Sequence, residues 1–312
     1  MNRIITVVAL LSTVCAGMIA VAQDQPAKPE LTALKVENAP ELKAELDETW
    51  QGATPVTVST RHGADKAGPD VELRALHDGT HVWLMARWKD ETKSDTKGAW
   101  EFKEGKWTKA EGDEDRFAVA IDNNVEGFAE KGCTALCHDG AMTSNVEAQT
   151  ADLWHWKAAR GGQNGASDDQ YIDGDVEGRK SDAGKSAYGS NANDEKTGPK
   201  WIWKEQADTK GAFTTETARE IPDDLKIEDG TRVPAQLLRT PEGSRGDIEA
   251  ASEYKDGWWT VVLKRKLDTG NKDDAALKAG ESTHIAVATF DNTGAKTGKE
   301  HAKSAAIKFT LE

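Results

Sequence analysis

Apolar residues in this chain fall into short runs that alternate with polar ones, and each run is closed by Gly, Asn or Asp. That spacing admits strands and leaves little room for long helices. Val71-Glu72-Leu73-Arg74-Ala75-Leu76 and the run from His81 to Trp88 flank His77-Asp78-Gly79-Thr80, which predicts a hairpin with an Asp-Gly turn. Further strands are predicted over 116–121, 258–265, 284–290 and 304–311. Many short strands joined by polar turns predict an antiparallel, immunoglobulin-like β-sandwich with short helices. From about residue 160 to 200 the composition shifts to Gly, Ser, Asp, Asn and Lys, which predicts a long polar insertion exposed on a single domain of residues 23–312. Pro222 to Gly246, with three of the nine prolines, is read as the return from that insertion to the last strands.

At the N-terminus Asn2-Arg3 precedes an apolar run from Ile4 to about Ala22 that ends in Ala20-Val21-Ala22. A charged start, an apolar middle and a small-residue end predict a signal peptide over 1–22, cleaved after Ala22, and hence export to the periplasm. The run is marginal for spanning a bilayer, so no membrane span is expected after cleavage. Cleavage removes Cys15 and leaves Cys133 and Cys137. Two cysteines in an oxidising compartment form a disulfide by default. Cys133-Thr134-Ala135-Leu136-Cys137-His138 offers a second reading, because it is one residue longer than the Cys-x-x-Cys-His of covalent haem attachment. There, two thiols add to the vinyl groups of a porphyrin and the adjoining histidine is carried to the iron as proximal ligand. Haem c on Cys133 and Cys137 with His138 as ligand, and a Cys133–Cys137 disulfide beside an uninvolved His138, are the two readings of this segment.

With 54 Asp and Glu against 40 Lys and Arg, the formal net charge is -14. A surface of this sign repels phosphate backbones, which excludes nucleic acid and suits a basic protein partner. No nucleophile–base set, paired catalytic carboxylate signature, phosphate loop or zinc motif is present, which argues against an enzyme. Asp173-Gly174-Asp175-Val176-Glu177-Gly178 resembles the opening of a calcium loop, but Gly184 stands where an EF-hand places its bidentate Glu. An irregular calcium site and a solvated acidic loop are the readings that remain.

Several segments, taken in order, resemble a known family: Leu46 to Trp50, Val71 to Asp90, Glu114 to Arg116, Gly132 to His138, Asp152 to Ala158, Asp168 to Tyr171, Gly257 to Leu267, Ala286 to Asn292 and His301 to Ser304. The chain is similar to haem-binding proteins related to the gamma subunit of ethylbenzene dehydrogenase, whose fold resembles DOMON domains and family 9 carbohydrate-binding modules. The resemblance implies a periplasmic β-sandwich with one haem, transferring electrons alone, with another cytochrome, or beside a molybdenum oxidoreductase of the dimethyl sulfoxide reductase type. Non-covalent members of that family hold haem with a Met and a C-terminal Lys. His301 and Lys303 lie in the segment similar to that Lys region, so His301 is the first expectation for the distal ligand, ahead of Met142, His155 and Lys303 in that order. Two imidazoles imply a lower potential than a His–Met pair. Trp154 and Trp156, with Trp201 and Trp203, are expected to wall the pocket, and Lys157 and Arg160 to neutralise propionates. Three functional classes follow: an electron-transfer cytochrome, a sensory or catalytic haem protein with an open sixth site, and a haem-free ligand-binding module with a disulfide.

Overall fold

The computed structural model describes residues 28–63, 66–138, 141–175, 178–205, 211–294 and 300–312. The cleavage site at Ala22 and Cys15 lie outside the described residues, as do Val176 and Glu177 of the acidic loop. Thirteen strands form one large sheet. They are β1 (Glu30–Lys35), β2 (Val56–His62), β3 (Lys66–His77), β4 (His81–Lys89), β5 (Glu114–Asn123), β6 (Thr150–Lys157) and β7 (Asp168–Ile172), then β8 (Lys180–Ser181), β9 (Glu249–Lys255), β10 (Trp258–Lys266), β11 (Ser282–Thr293), β12 (Ala302–Ser304) and β13 (Ile307–Leu311). Hydrogen-bonded neighbours run β8-β7-β6-β5-β11-β12-β2-β3-β4-β10-β9. β1 lies parallel to both β3 and β13, and β13 pairs with β11, so the sheet has a second route between its halves.

The two halves pack as a sandwich because alternation gives each strand one apolar face. Phe117, Val119, Ile121, Trp154, Trp156, Ile285 and Val287 from one half share a buried core with Val71, Leu73, Leu84, Trp88, Trp259, Val261 and Leu263 from the other. Its centre is aromatic: Trp156 meets Trp259 edge-on at 5.0 Å, and Phe117 and Trp259 stack on Trp88 at 5.4 and 6.4 Å. Such pairs contribute roughly 0.5–1.5 kcal/mol each beyond the area they bury.

The predicted hairpin is β3–β4, in register from Val71↔Trp88 to His77↔Val82. Asp78 Oδ1 accepts the amides of Thr80 and His81, both at 2.7 Å, and Gly79 takes φ +88° to close the turn. β5, β10 and β11 contain the other predicted runs. Two expectations need correction. The run 304–311 is not one strand: it breaks at Ala305–Ala306, so that β12 pairs with β2 and β11 while β13 moves on to β1. The polar stretch from 160 to 200 is not a free excursion, since β7 and β8 extend the main sheet and Asn191 is fully buried. Asn191 accepts the Trp201 amide at 2.8 Å and donates to the carbonyls of Trp201 and Pro234. Polar residues satisfied in this way are buried without any hydropathy signal.

Candidate functional site

On the outer face of β5, β6 and β11, away from the main core, the strands present Ala118, Ala120, Ala151, Leu153, Ala286 and Ala288. Small side chains leave this floor low, and Val125, Phe128, Cys133, Ala135, Leu136 and Met142 pack over it. The approach depends on one glycine. The short helix α1 (Phe128–Lys131) ends at Gly132, whose φ is +55° and whose added Cβ would meet the Ala306 amide nitrogen at 2.8 Å and the Ala286 Cβ at 3.2 Å. A 3-10 turn over Gly132–Leu136 then seats Cys133, Ala135 and Leu136 on the alanines.

Cys133 is buried and Cys137 exposed, and both are free thiols. Burial, reinforced by neighbouring Cys137, pushes the Cys133 thiol up to about 12. Cys137–His138 pairs with Ala141–Met142 in a small ladder that sets Met142 directly opposite Cys137. Asp139 and Gly140 between them lie outside the described residues. Met142 packs half-buried against the floor cluster. His138 donates from Nε2 to the Ala135 carbonyl at 2.8 Å, a bond that iron ligation through that nitrogen would replace. The Lys303 ammonium stands 3.5 Å from the Cys137 sulfur.

The sheet register relates these groups. His155, Ala118, Ala288 and Lys303 form one cross-strand row, with an imidazole and an amine at its ends and two alanines between. Three interstrand steps place the end residues roughly 14 Å apart along the row. His155 is 1% exposed; it donates from Nδ1 to Gln170 Oε1 at 3.1 Å, and its Nε2 has no hydrogen-bond partner. Its ring stacks on Phe290 at 5.5 Å, and Phe290 stacks on His301 at 5.0 Å. Burial, together with the charges of Lys157, Arg179, Arg116 and Arg160, holds the His155 imidazole well below its usual range, so its lone pair stays available at neutral pH.

Those cations line the end of the same face. Lys157, buried, ion-pairs with Asp168 and donates to the Tyr188 hydroxyl at 3.2 Å, while Arg160 Nε donates to Glu114 Oε1 at 2.7 Å. Burial pulls Lys157 down to about 7 despite the carboxylate of Asp168. Gln170 and Arg179 escaped sequence reasoning because their link to His155 runs through pairing with β7 and the turn after it, which no local spacing encodes.

Not every expected pocket residue reaches this face. Alternation along β6 turns Trp154 and Trp156 into the main core, opposite His155 and Lys157, which corrects their reading as pocket walls. Trp201 and Trp203 lie half-buried in a separate ladder with Ala218–Glu220, where Trp203 packs edge-on against Phe213 at 4.6 Å. In the acidic loop the Lys180 ammonium lies 3.0 Å from both Asp173 Oδ2 and Asp175 Oδ2 and occupies the place a cation would take.

Fold and site together define a β-sandwich that gathers two thiols, three imidazoles, a thioether and an amine over one alanine-floored outer face. A model of the ethylbenzene dehydrogenase family matches residues 47–304, and the chain belongs to that family. No curated protein matches it. Among solved structures it is similar to a family 9 carbohydrate-binding module from Caldicellulosiruptor kristjanssonii in complex with glucose, at 6% identity and a TM-score of 0.41, over 91% of this chain and 95% of that one. It is also similar to a putative carbohydrate-binding protein from Bacteroides uniformis, at 8% identity and a TM-score of 0.38, over 92% and 100% of the two chains. Among the described residues no helix is long and apolar enough to cross a membrane.

Proposed function

We propose that this chain is an exported, periplasmic electron-transfer protein with one haem joined to Cys133 and Cys137. The observation that carries the reading is the seating of Cys133, Ala135 and Leu136 on the alanine floor, one cross-strand row of which ends in a buried imidazole whose Nε2 has no partner. The thiol, imidazole, thioether and amine donors gathered there are those that porphyrin iron takes. Lys157, Arg160, Arg116 and Arg179 supply positive charge for propionates on the same face. Bound there, the iron would supply a one-electron couple; this chain's residues set its ligation, exclude water and orient its edge toward a partner.

His138 is the proximal ligand of this reading. For the distal position His155 moves ahead of His301, Met142 and Lys303. Its Nδ1 proton is committed to Gln170, which fixes the tautomer and leaves Nε2 as a base, the arrangement found behind metal-bound histidines. Met142 lies beside Cys137 on the attachment hairpin, and His301 stacks flat on Phe290. Membership of the ethylbenzene dehydrogenase family favours a molybdenum oxidoreductase as redox partner or companion subunit, with another cytochrome as the second choice.

Visible and electron paramagnetic resonance spectra of single variants, exported with the cytochrome c maturation machinery, test the ligand assignment. His138→Ala and His155→Ala should each convert a low-spin ferric haem to high spin, whereas His301→Ala should leave it low spin. A low-spin spectrum unchanged by His155→Ala but lost in His301→Ala would return the ligand to His301. An open-site sensor would instead show a high-spin haem in the wild type.

A further inference from the structure

The strands that carry His155 and Asp168 on one face carry Asp152 and Asp169 on the other, and there four buried aspartates converge. Asp152 and Asp169 are fully buried, and Asp182 and Asp274 are 4% and 6% exposed. Oxygens of Asp152, Asp169 and Asp274 lie within 4.8 Å of one another, as do oxygens of Asp182, Asp273 and Asp274. Asp182 follows β8, and Asp273 and Asp274 lie in the connection between β10 and β11, so four separate segments of chain meet at this point.

Each of the four buried carboxylates has one oxygen anchored by protein donors. Asp152 Oδ2 accepts from Arg265 Nη1 and, at 3.0 Å, from the Ala275 amide. Asp169 Oδ1 accepts the Gln170 amide at 3.1 Å, Asp182 Oδ2 the Ser244 hydroxyl at 3.0 Å, and Asp274 Oδ2 the Thr269 hydroxyl and, at 3.2 Å, Asn271 Nδ2. The opposite oxygens, Asp152 Oδ1, Asp169 Oδ2, Asp182 Oδ1 and Asp274 Oδ1, have no hydrogen-bond donor. Arg265 Nη1 approaches Asp274 Oδ1 only to 3.6 Å, and this guanidinium is also engaged with the Ala275 carbonyl. Among the described residues one cation thus faces four buried carboxylates and half-buried Asp273, which leaves an excess of negative charge where solvent does not reach.

We propose that Asp152, Asp169, Asp182 and Asp274, through the carboxylate oxygens that no protein donor satisfies, together with Asp273 at the rim, bind a divalent cation of the calcium type. All donors are hard oxygens, and they come from an irregular set of loops and strand ends, which suits the flexible shell of six to eight oxygens that calcium takes. Magnesium asks for near-octahedral geometry and retains its waters. Asp273, half-buried at the rim, gives the ion an entry path. The site is independent of the haem reading, since it lies on the opposite face of β6 and β7. It is also separate from Asp173 and Asp175, which Lys180 occupies. Its effect on folding is to tie β6, β7 and the turn after β8 to the connection between β10 and β11.

Calorimetric titration of the full mature chain with calcium chloride, after treatment with a chelator, tests this directly, alongside thermal melting with and without the ion. One calcium per chain is expected to bind, the melting temperature to rise by several degrees, and magnesium at equal concentration to do much less. Asp273→Asn, at the half-buried rim, should preserve the fold and weaken calcium at least tenfold, and Asp182→Asn should weaken it further. Absence of calcium heat and of any shift in melting would overturn the proposal. So would calcium binding that both variants retain at wild-type affinity, because the ion would then sit elsewhere.

Discussion

At the scale of single residues, the candidate sites are built from groups whose surroundings leave one atom unsatisfied or one charge poorly solvated. His155 was recognisable in the sequence as a candidate, as were Cys133, Cys137 and His138, because their spacing is local. Its standing relative to His301 was not, because that depends on Gln170 across a strand pair and on the Phe290 ring between the two imidazoles. Asp90 gives a residue-scale prediction away from the site. Burial, and then the charge of Asp115, raise it from 3.8 to about 7. A raised carboxyl binds its proton more tightly in the folded state, so its stabilisation is complete below the unfolded value and is lost as pH rises through about 7. The wild type should therefore lose on the order of 2–4 kcal/mol of stability from this group between about pH 4 and 8. Asp90→Asn should flatten that part of the melting-temperature profile, and an unchanged slope in the variant would assign the pH dependence to other groups.

Elements explain why the site sits where it does. The alternation of β5 and β11 was legible as strand and turns alanines outward, whereas β6 was not predicted, and that their alanines form one floor is a matter of register between β6, β5 and β11. Gly132 controls how closely the cysteine turn approaches that floor. Gly132→Val adds a side chain where the Ala306 backbone and Ala286 already stand, at a left-handed φ. Haem incorporation per folded chain should fall severalfold in this variant while the sandwich itself persists by circular dichroism; wild-type incorporation would show that close seating is not required. Trp156 makes the opposite case. Fully buried between Trp88 and Trp259, it should cost about 3–5 kcal/mol when changed to Ala. The haem spectrum of the remaining folded protein should be unaltered, and a shifted spectrum would place the tryptophan at the haem after all. The 160–200 region shows where sequence reasoning stops: β7, β8 and Asn191 are built from polar residues whose burial is sustained by hydrogen bonds, so composition alone reads as loop.

Across the whole molecule, the sandwich has one face for its core and an outer face for the candidate cofactor site, and a net charge of -14 surrounds both. Such a charge steers a basic partner by long-range attraction, so the second-order rate of electron exchange with a cationic cytochrome should fall as salt is raised. A rate independent of ionic strength would remove the acidic surface from partner recognition. The proposed function stands or falls with haem bonded to this chain through Cys133 and Cys137. The most direct measurement is the spectrum of the exported protein after denaturation and reduction in alkaline pyridine, compared with the material left after extraction in acidified acetone. Covalent attachment predicts a haemochrome that stays with the polypeptide, one per chain, and is abolished in the Cys133→Ala, Cys137→Ala double variant. A haem that passes into the acetone, or a colourless protein with a Cys133–Cys137 disulfide despite competent maturation, would contradict it.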